Sequence, residues 1–325
     1  MKKALFATTA LVLSAGVAAA DVKISGYGRT GVAYYDNDVA GINNSQVVSR
    51  LRMNIDASTT TDSGIDFGAR FRLQWDQGHS SRGDDAATNP GKLWVTASGV
   101  TVEVGNVDTA VDSNGLIYAT DLGAFDRALG TTFGVNENFF AYKSDAYSNV
   151  NRVGVRVVYA IDDLTVQGSF VDPDQSGANE TGAGYEEEFA ISVDYKWDNR
   201  LELSAAAAFN SAGYDNDFYF VGARYAVTEQ ARVGLNFIDA GKEEEGWDGQ
   251  TVAIYGDYTL ADGLTNFEGY VAYNNADRDI KLSKETNTAF GIGVNYDLGG
   301  ARLGASIQRD YRKNTYADFG VRFNF

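Results

Sequence analysis

Residues 316–325 read Tyr-Ala-Asp-Phe-Gly-Val-Arg-Phe-Asn-Phe. Ala317, Phe319, Val321, Phe323 and Phe325 fall on one side of an extended chain. Tyr316, Asp318, Gly320, Arg322 and Asn324 fall on the other. Side chains alternate across a β-strand, so this segment has one apolar and one polar face. In a soluble sandwich the apolar face turns inward. In a membrane barrel it turns to lipid, and the polar face lines a wet lumen. The alternation fits both, so the rest of the chain must decide.

Strand length is the first discriminator. Period-two runs such as 22–34, 47–57, 65–75, 189–197 and 290–298 are long. Globular strands average about 5–6 residues, whereas a tilted membrane strand needs about 9–11. Turn asymmetry is the second. Short turns such as Asp198-Asn199, Ala261-Asp262-Gly263 and Gly299-Gly300 alternate with long polar stretches at 76–91, 172–186 and 241–249. Outer-membrane barrels have short periplasmic turns and longer outer loops. The third is a recurring tyrosine. Tyr159, Tyr195, Tyr225, Tyr258 and Tyr296 each stand two residues before the end of a strand that meets a short turn. Aromatic rings at one level on every second strand form an interfacial belt.

Sixteen strands can be placed along the chain. An even number keeps both termini on the periplasmic side, as bacterial barrels require. The segment 138–144, with Phe139, Phe140 and Tyr142, is a tempting seventeenth, and parity rejects it. Val107 to Asn151 then forms one loop of about 45 residues, a length that is uncommon unless the loop has a function. Its apolar residues Leu116, Ile117, Leu122, Phe125, Phe133, Phe139 and Phe140 need a packing partner, and the barrel interior is the place available. The fold class expected is all-β: a sixteen-stranded antiparallel transmembrane barrel, its third outer loop folded into the lumen.

Composition supports export and excludes several functions. Lys2 and Lys3 precede an apolar run from Ala4 to Val17, and Ala18-Ala19-Ala20 supplies small residues for cleavage. Residues 1–20 are expected to be a signal peptide, leaving 21–325 as a single barrel domain. Removing twenty residues with their two lysines leaves 305 and takes the formal charge from −17 to −19. Such acidity argues against nucleic-acid binding. The chain has no Cys and a single His, His79, in an expected outer loop. A Ser-His-carboxylate hydrolase would need a histidine on the wall, so no enzyme is expected. No cofactor is required either. Acidic runs such as Asp84-Asp85 and Glu243-Glu244-Glu245 could hold Ca2+ through carboxylate oxygens, or bind divalent cations that bridge to lipopolysaccharide phosphates.

Several stretches resemble a known family. They are Asp21–Arg29 (DVKISGYGR), Ser49–Arg52 (SRLR), Thr61–Ala69 (TDSGIDFGA), Tyr296–Gly300 (YDLGG) and Ala317–Phe325 with its terminal Phe. In order and at both ends, they resemble the sixteen-stranded general porins of Gram-negative bacteria, especially the Rhodobacter type of α-proteobacteria. Between residues 107 and 264 the likeness is one of layout. The resemblance implies an outer-membrane homotrimer of pores, each narrowed by its third loop. It also implies that the strand ending at Phe325 is read by the barrel-insertion machinery. In such pores basic side chains on the wall face acidic ones on the loop.

The alternation names the candidates. With Leu51, Met53 and Ile55 facing out, Arg50 and Arg52 face the lumen. With Phe67, Ala69, Phe71 and Leu73 out, Arg70 and Arg72 face in, and Arg29 joins them from the first strand. A charge at the lipid midplane would cost about 2–4 kcal/mol, which fixes the direction. The acidic candidates are Glu103 on the fifth strand and Asp108, Asp112, Asp121, Asp126 and Glu137 on the loop. Opposed rows of charge produce a transverse field that favours polar solutes. Local neutralisation along the wall, by Asp56 or Asp66, is the competing reading of the arginines. A substrate-selective channel and a barrel plugged by its own loop are the competing functions. A sugar channel would need an aromatic slide, and inward Tyr27, Phe218, Phe220, Tyr255 and Tyr270 are scattered among strands.

Overall fold

The structure, a computed structural model, describes residues 21–36, 43–77, 87–88, 90–119, 122–125, 140, 151–177, 186–241, 249–276 and 285–325. The expected signal peptide, His79 and the two acidic runs lie outside them. Sixteen barrel strands are present: β1 Asp21–Tyr35, β2 Ser45–Thr60, β3 Asp66–Gln77, β4 Lys92–Ala97, β5 Val100–Gly105, β6 Val153–Ile161, β7 Leu164–Asp172 and β8 Glu188–Trp197. They continue with β9 Leu201–Phe209, β10 Phe218–Ala226, β11 Ala231–Asp239, β12 Gln250–Thr259, β13 Thr265–Asn274, β14 Thr288–Asp297, β15 Ala301–Arg309 and β16 Thr315–Asn324. Each strand pairs antiparallel with its sequence neighbours. A two-residue strand, Ala87–Thr88, pairs with Leu73 and Gln74 of β3 on the side that β4 occupies. It is the outer end of the β4 path, and Pro90, which has no N–H to give the ladder, lies in the break.

The terminal strand closes the barrel. β16 pairs with β1 from Tyr27↔Asn324 to Tyr35↔Tyr316. Phe325 exchanges both backbone hydrogen bonds with Gly26, at 2.8 and 3.0 Å. Closure removes the unpaired edges that a lipid environment would not tolerate.

The alternation is inverted relative to a soluble protein, as the strand lengths and turns predict. Ile292 is 65% exposed and Phe319 62%, both from apolar faces. Tyr159, Tyr195, Tyr225, Tyr258 and Tyr296 are all exposed at the short-turn ends of their strands. Residues with φ near +50° shape several of these turns, Asp162, Asp198 and Asn199 among them. Asp and Asn tolerate the left-handed region that tight hairpins need.

The β12–β13 turn is held by one carboxylate. Asp262 accepts the backbone N–H groups of Leu264 and Thr265 at 2.9 Å and the Thr265 hydroxyl at 2.7 Å. The Thr265 and Leu264 amides, with that hydroxyl, hold its pKa below the ordinary carboxylate value. A depressed folded pKa contributes stability that is present above the unfolded value and is lost as pH falls through the folded one. Asp262→Ala should therefore lower the urea midpoint at pH 7 and narrow the gap between midpoints at pH 7 and pH 3. An unchanged gap would remove Asp262 as a source of acid sensitivity.

Candidate functional site

The long connection after β5 enters the barrel. Gly105 has φ +109°, a region open to glycine, and there the chain leaves the sheet. Arg152 closes the neck of the loop by donating to Asn106 Oδ1 at 3.2 Å and to the Val107 carbonyl at 3.4 Å. Among the described residues, the loop then runs along the wall from β7 round to β1. Ala110 donates its N–H to Ser169 Oγ of β7, and Gly115 to Asp194 Oδ1 of β8, both at 2.9 Å. Asn236 of β11 donates to the Leu116 carbonyl at 2.9 Å. Ala124 gives its N–H to Asp318 Oδ1 of β16 at 2.7 Å, and Arg29 of β1 donates to the Phe125 carbonyl at 2.7 Å. Phe140 returns to β8 by donating to Glu188 Oε2 at 2.8 Å. Phe140 belongs to no strand, and the rest of the segment 138–144 lies outside the described residues.

Apolar packing seats the same loop. Leu116, Ile117 and Leu122 are buried in one cluster with Phe218, Phe220, Ile238, Tyr255 and Tyr270. Ala206, Ala208, Ala253, Ala272 and Ala289 complete it and leave room for the loop. The inward aromatics that look scattered in the sequence are thus gathered as the loop's seat, and Tyr27 alone stands apart. At β15 and β16 the seat is made of glycine. A Cβ on Gly304 would lie 2.8 Å from the Ala124 nitrogen, and one on Gly320 would lie 3.1 Å from the Ala124 Cβ. Backbone meets backbone there, and a side chain would push residues 123–124 away.

The strands opposite this seat carry the arginines. Arg50 pairs with Asp76 across β2 and β3. Arg70 pairs with Asp56 through two bonds, at 2.6 and 3.0 Å. Arg52 and Arg72 meet neutral partners instead: Gln74 Oε1 at 2.6 Å and Asn54 Oδ1 at 2.8 Å. Asp66, the other candidate partner for the wall arginines, accepts the Thr60 hydroxyl at 2.6 Å. Local neutralisation therefore applies to Arg50 and Arg70, while Arg52 and Arg72 each also bond a neutral amide across the sheet.

Two further arginines belong to this wall. Arg302, Arg322, Arg29 and Arg50 stand in direct register across β15, β16, β1 and β2. Like charges directly opposite in a sheet are destabilising. The Tyr27 ring offsets part of this, with the guanidinium carbons of Arg322, Arg52 and Arg29 at 4.5, 5.4 and 5.9 Å from its centroid. Loop carbonyls offset more: Arg302 donates to Gly123 O at 3.3 Å. The signal for Arg322 is present in the sequence, on the polar face of residues 316–325. Its place beside Arg29 depends on barrel closure.

The acidic candidates divide. Glu103 faces inward from β5, but it is held by two cations of its own wall, Lys92 Nζ at 2.9 Å and Arg156 Nη2 at 2.7 Å. Arg156 also donates to Ser113 of the loop. Glu103 thus joins β4, β5 and β6 beneath the loop, and does not stand alone across from the arginines. Asp112 accepts the Tyr118 hydroxyl at 2.5 Å, and Asp108 is half-buried near the loop's neck. Asp121, Asp126 and Glu137 lie outside the described residues. Sequence reading missed the wall carboxylates Asp194, Asp318 and Glu188, each of which accepts a loop backbone N–H. They follow strand alternation, yet nothing local marks them as loop anchors.

A closed barrel with an apolar outside, a charged lumen and a loop laid along part of its wall is a transmembrane pore. Residues 7–315 match the Gram-negative porin family. The porin of Fuscovulum blasticum is 38% identical over 313 residues, covering 94% of this chain and all of the relative. The porin of Rhodobacter capsulatus is 27% identical over 349 residues, with the same coverage. Solved structures of engineered variants of Rh. blastica porin superpose with a TM-score of 0.82 at 36% identity, again over 94% of this chain and all of theirs. The chain belongs to the Gram-negative porin family. It is an outer-membrane channel for passive diffusion and not an enzyme.

Proposed function

We propose that the channel is narrowest between the inner loop and the wall of β1–β3, where Arg50, Arg52, Arg70, Arg72 and Arg29 face the loop's carboxylates. The observation that carries this is the course of the loop. Its described contacts run from β7 to β1, which supports a passage along β2 and β3. Arg52 and Arg72 supply the positive side of a transverse field. Asp108, Asp112, Asp121, Asp126 and Glu137 supply the negative side. Small hydrophilic solutes cross because they keep their hydrogen bonds in such a gap, and apolar ones are slowed. The passage is general and not sugar-selective, because four of the inward aromatics are occupied in seating the loop.

The porin family is generally trimeric in the outer membrane. We infer that this chain is likewise a homotrimer, released from a signal peptide at residues 1–20 and delivered to the insertion machinery by the strand ending at Phe325. Exposed apolar side chains on β1–β3, such as Val22, Ile24 and Phe71, supply material for subunit contacts as well as for lipid. Ca2+ held by Asp84-Asp85 and Glu243-Glu244-Glu245 would bridge the outer loops to lipopolysaccharide phosphates. Unboiled protein should migrate as a trimer, with EDTA lowering the temperature at which it dissociates. Migration as a monomer without heating would overturn the trimer. An EDTA-insensitive transition would overturn the calcium bridge.

A further inference from the structure

We propose that a pocket beneath the inner loop is a subsite for small zwitterions of the α-amino-acid class. The inference deepens the diffusion reading by naming a solute class that pauses in the channel. The pocket has a volume of about 270 Å³ and lies between loop residues Tyr118 and Leu122 and the wall of β10–β13. Arg224, Arg232, Asp257 and Glu268 line it with Tyr255.

Its charges are arranged in two poles. Arg224 donates Nε and Nη2 to one oxygen of Glu202, at 3.1 and 2.5 Å, and Nη1 has no partner among the described residues. A planar guanidinium with donors remaining is suited to a carboxylate. At the other pole Asp257 and Glu268 stand directly opposite each other on β12 and β13. Like charges in that register repel, and a cation bonded to each removes the repulsion. Arg232 binds Asp257 through Nε and Nη2, at 2.9 and 3.1 Å, and Asn266 donates to the same carboxylate at 3.3 Å. Among the described residues Glu268 accepts one hydrogen bond, from Asn295 to Oε1 at 2.6 Å, which leaves Oε2 for a further donor. An ammonium fits there and a carboxylate fits at Arg224. A uniformly charged ion gains at one pole and loses at the other, so the pair of poles selects a molecule that carries both charges.

The test uses purified full-length channel and L-glutamine. Two matched probes each lack one charge: glutaramate has no α-amine, and 4-aminobutanamide has no carboxylate. Saturation-transfer NMR reads contact, and saturable reduction of single-channel current reads occupancy within the pore. Glutamine should saturate at about tenfold lower concentration than either probe, the factor expected from one charge-assisted bond. Glu268→Gln should weaken glutamine about tenfold and leave glutaramate no weaker, since the anion loses a like charge. Arg224→Gln should weaken glutamine and leave 4-aminobutanamide no weaker, since the cation loses a like charge. Heat-modifiable gel migration shows that each variant has folded. Equal behaviour of all three probes, or loss of affinity in both variants irrespective of the charge carried, overturns the subsite. Current steps in potassium chloride alone report the pore itself, so that failure is distinguishable.

Discussion

Replacing Arg52 and Arg72 together with glutamine is expected to shift the channel strongly toward cations. Both side chains bond neutral amides, Gln74 and Asn54, so their charge is not cancelled by those neighbours. Glutamine keeps a donor for each amide and disturbs the wall little. An ion about 4 Å from a unit charge in water feels about 1 kcal/mol, which corresponds to roughly a fivefold change in occupancy. Two such charges on one wall should raise the potassium-to-chloride permeability ratio at least that much. Zero-current potential across a salt gradient measures it directly. A potential identical to that of the parent channel would remove these arginines from the passage. Arg50 and Arg70 are different cases. Each sits against a carboxylate, so neutralising it also leaves Asp76 or Asp56 without its ion-pair partner. Those variants should be less stable as well as less anion-tolerant.

The second large effect concerns the loop. Leu116 and Ile117 are buried at 2% and 0% exposure against Phe218 and Phe220. Truncating one such side chain costs about 2–5 kcal/mol, and a buried unpaired carboxylate costs several more. Leu116→Asp with Ile117→Asp should therefore unseat the loop. The barrel itself should remain, because its strands are held by ladder bonds and its apolar face by lipid, neither of which involves the loop. The expected result is a folded, heat-modifiable protein with larger, noisier current steps. It should also admit sugars that the parent excludes in liposome swelling. Parental conductance and size cut-off would show that the loop does not narrow the pore.

The two variants separate the two devices at the site. One sets the charge of the gap and the other sets its width. The alternation rule reads the first directly, since Arg52 and Arg72 follow from the neighbours that must face lipid. It reads the second only as a demand that Leu116 and Ile117 be buried somewhere. A weak signal for the seat exists in β9, whose Ala205 to Ala208 run is apolar on both faces. A lumen strand loses its polar inner face where something apolar covers it. Glu103 shows the limit of the rule. Its inward direction is legible, but its pairing with Lys92 and Arg156 depends on which strands flank β5 and on the loop above them.

The terminal strand, 316–325, shows where local and tertiary information divide. Period-two alternation and lipid solvation act residue by residue, so the strands, their number, the faces they present and the inward loop are legible in the sequence. The same alternation turns Asp318, Gly320 and Arg322 to the lumen. What they do there depends on the closed barrel. Closure against β1 sets Arg322 beside Arg29 and Tyr27, and the course of the loop brings Ala124 onto Asp318 and Gly320. These contacts join residues about 190 or more apart in the chain, between groups that carry no local mark of one another. Their energies depend on register and close approach, which exist only once the barrel is shut.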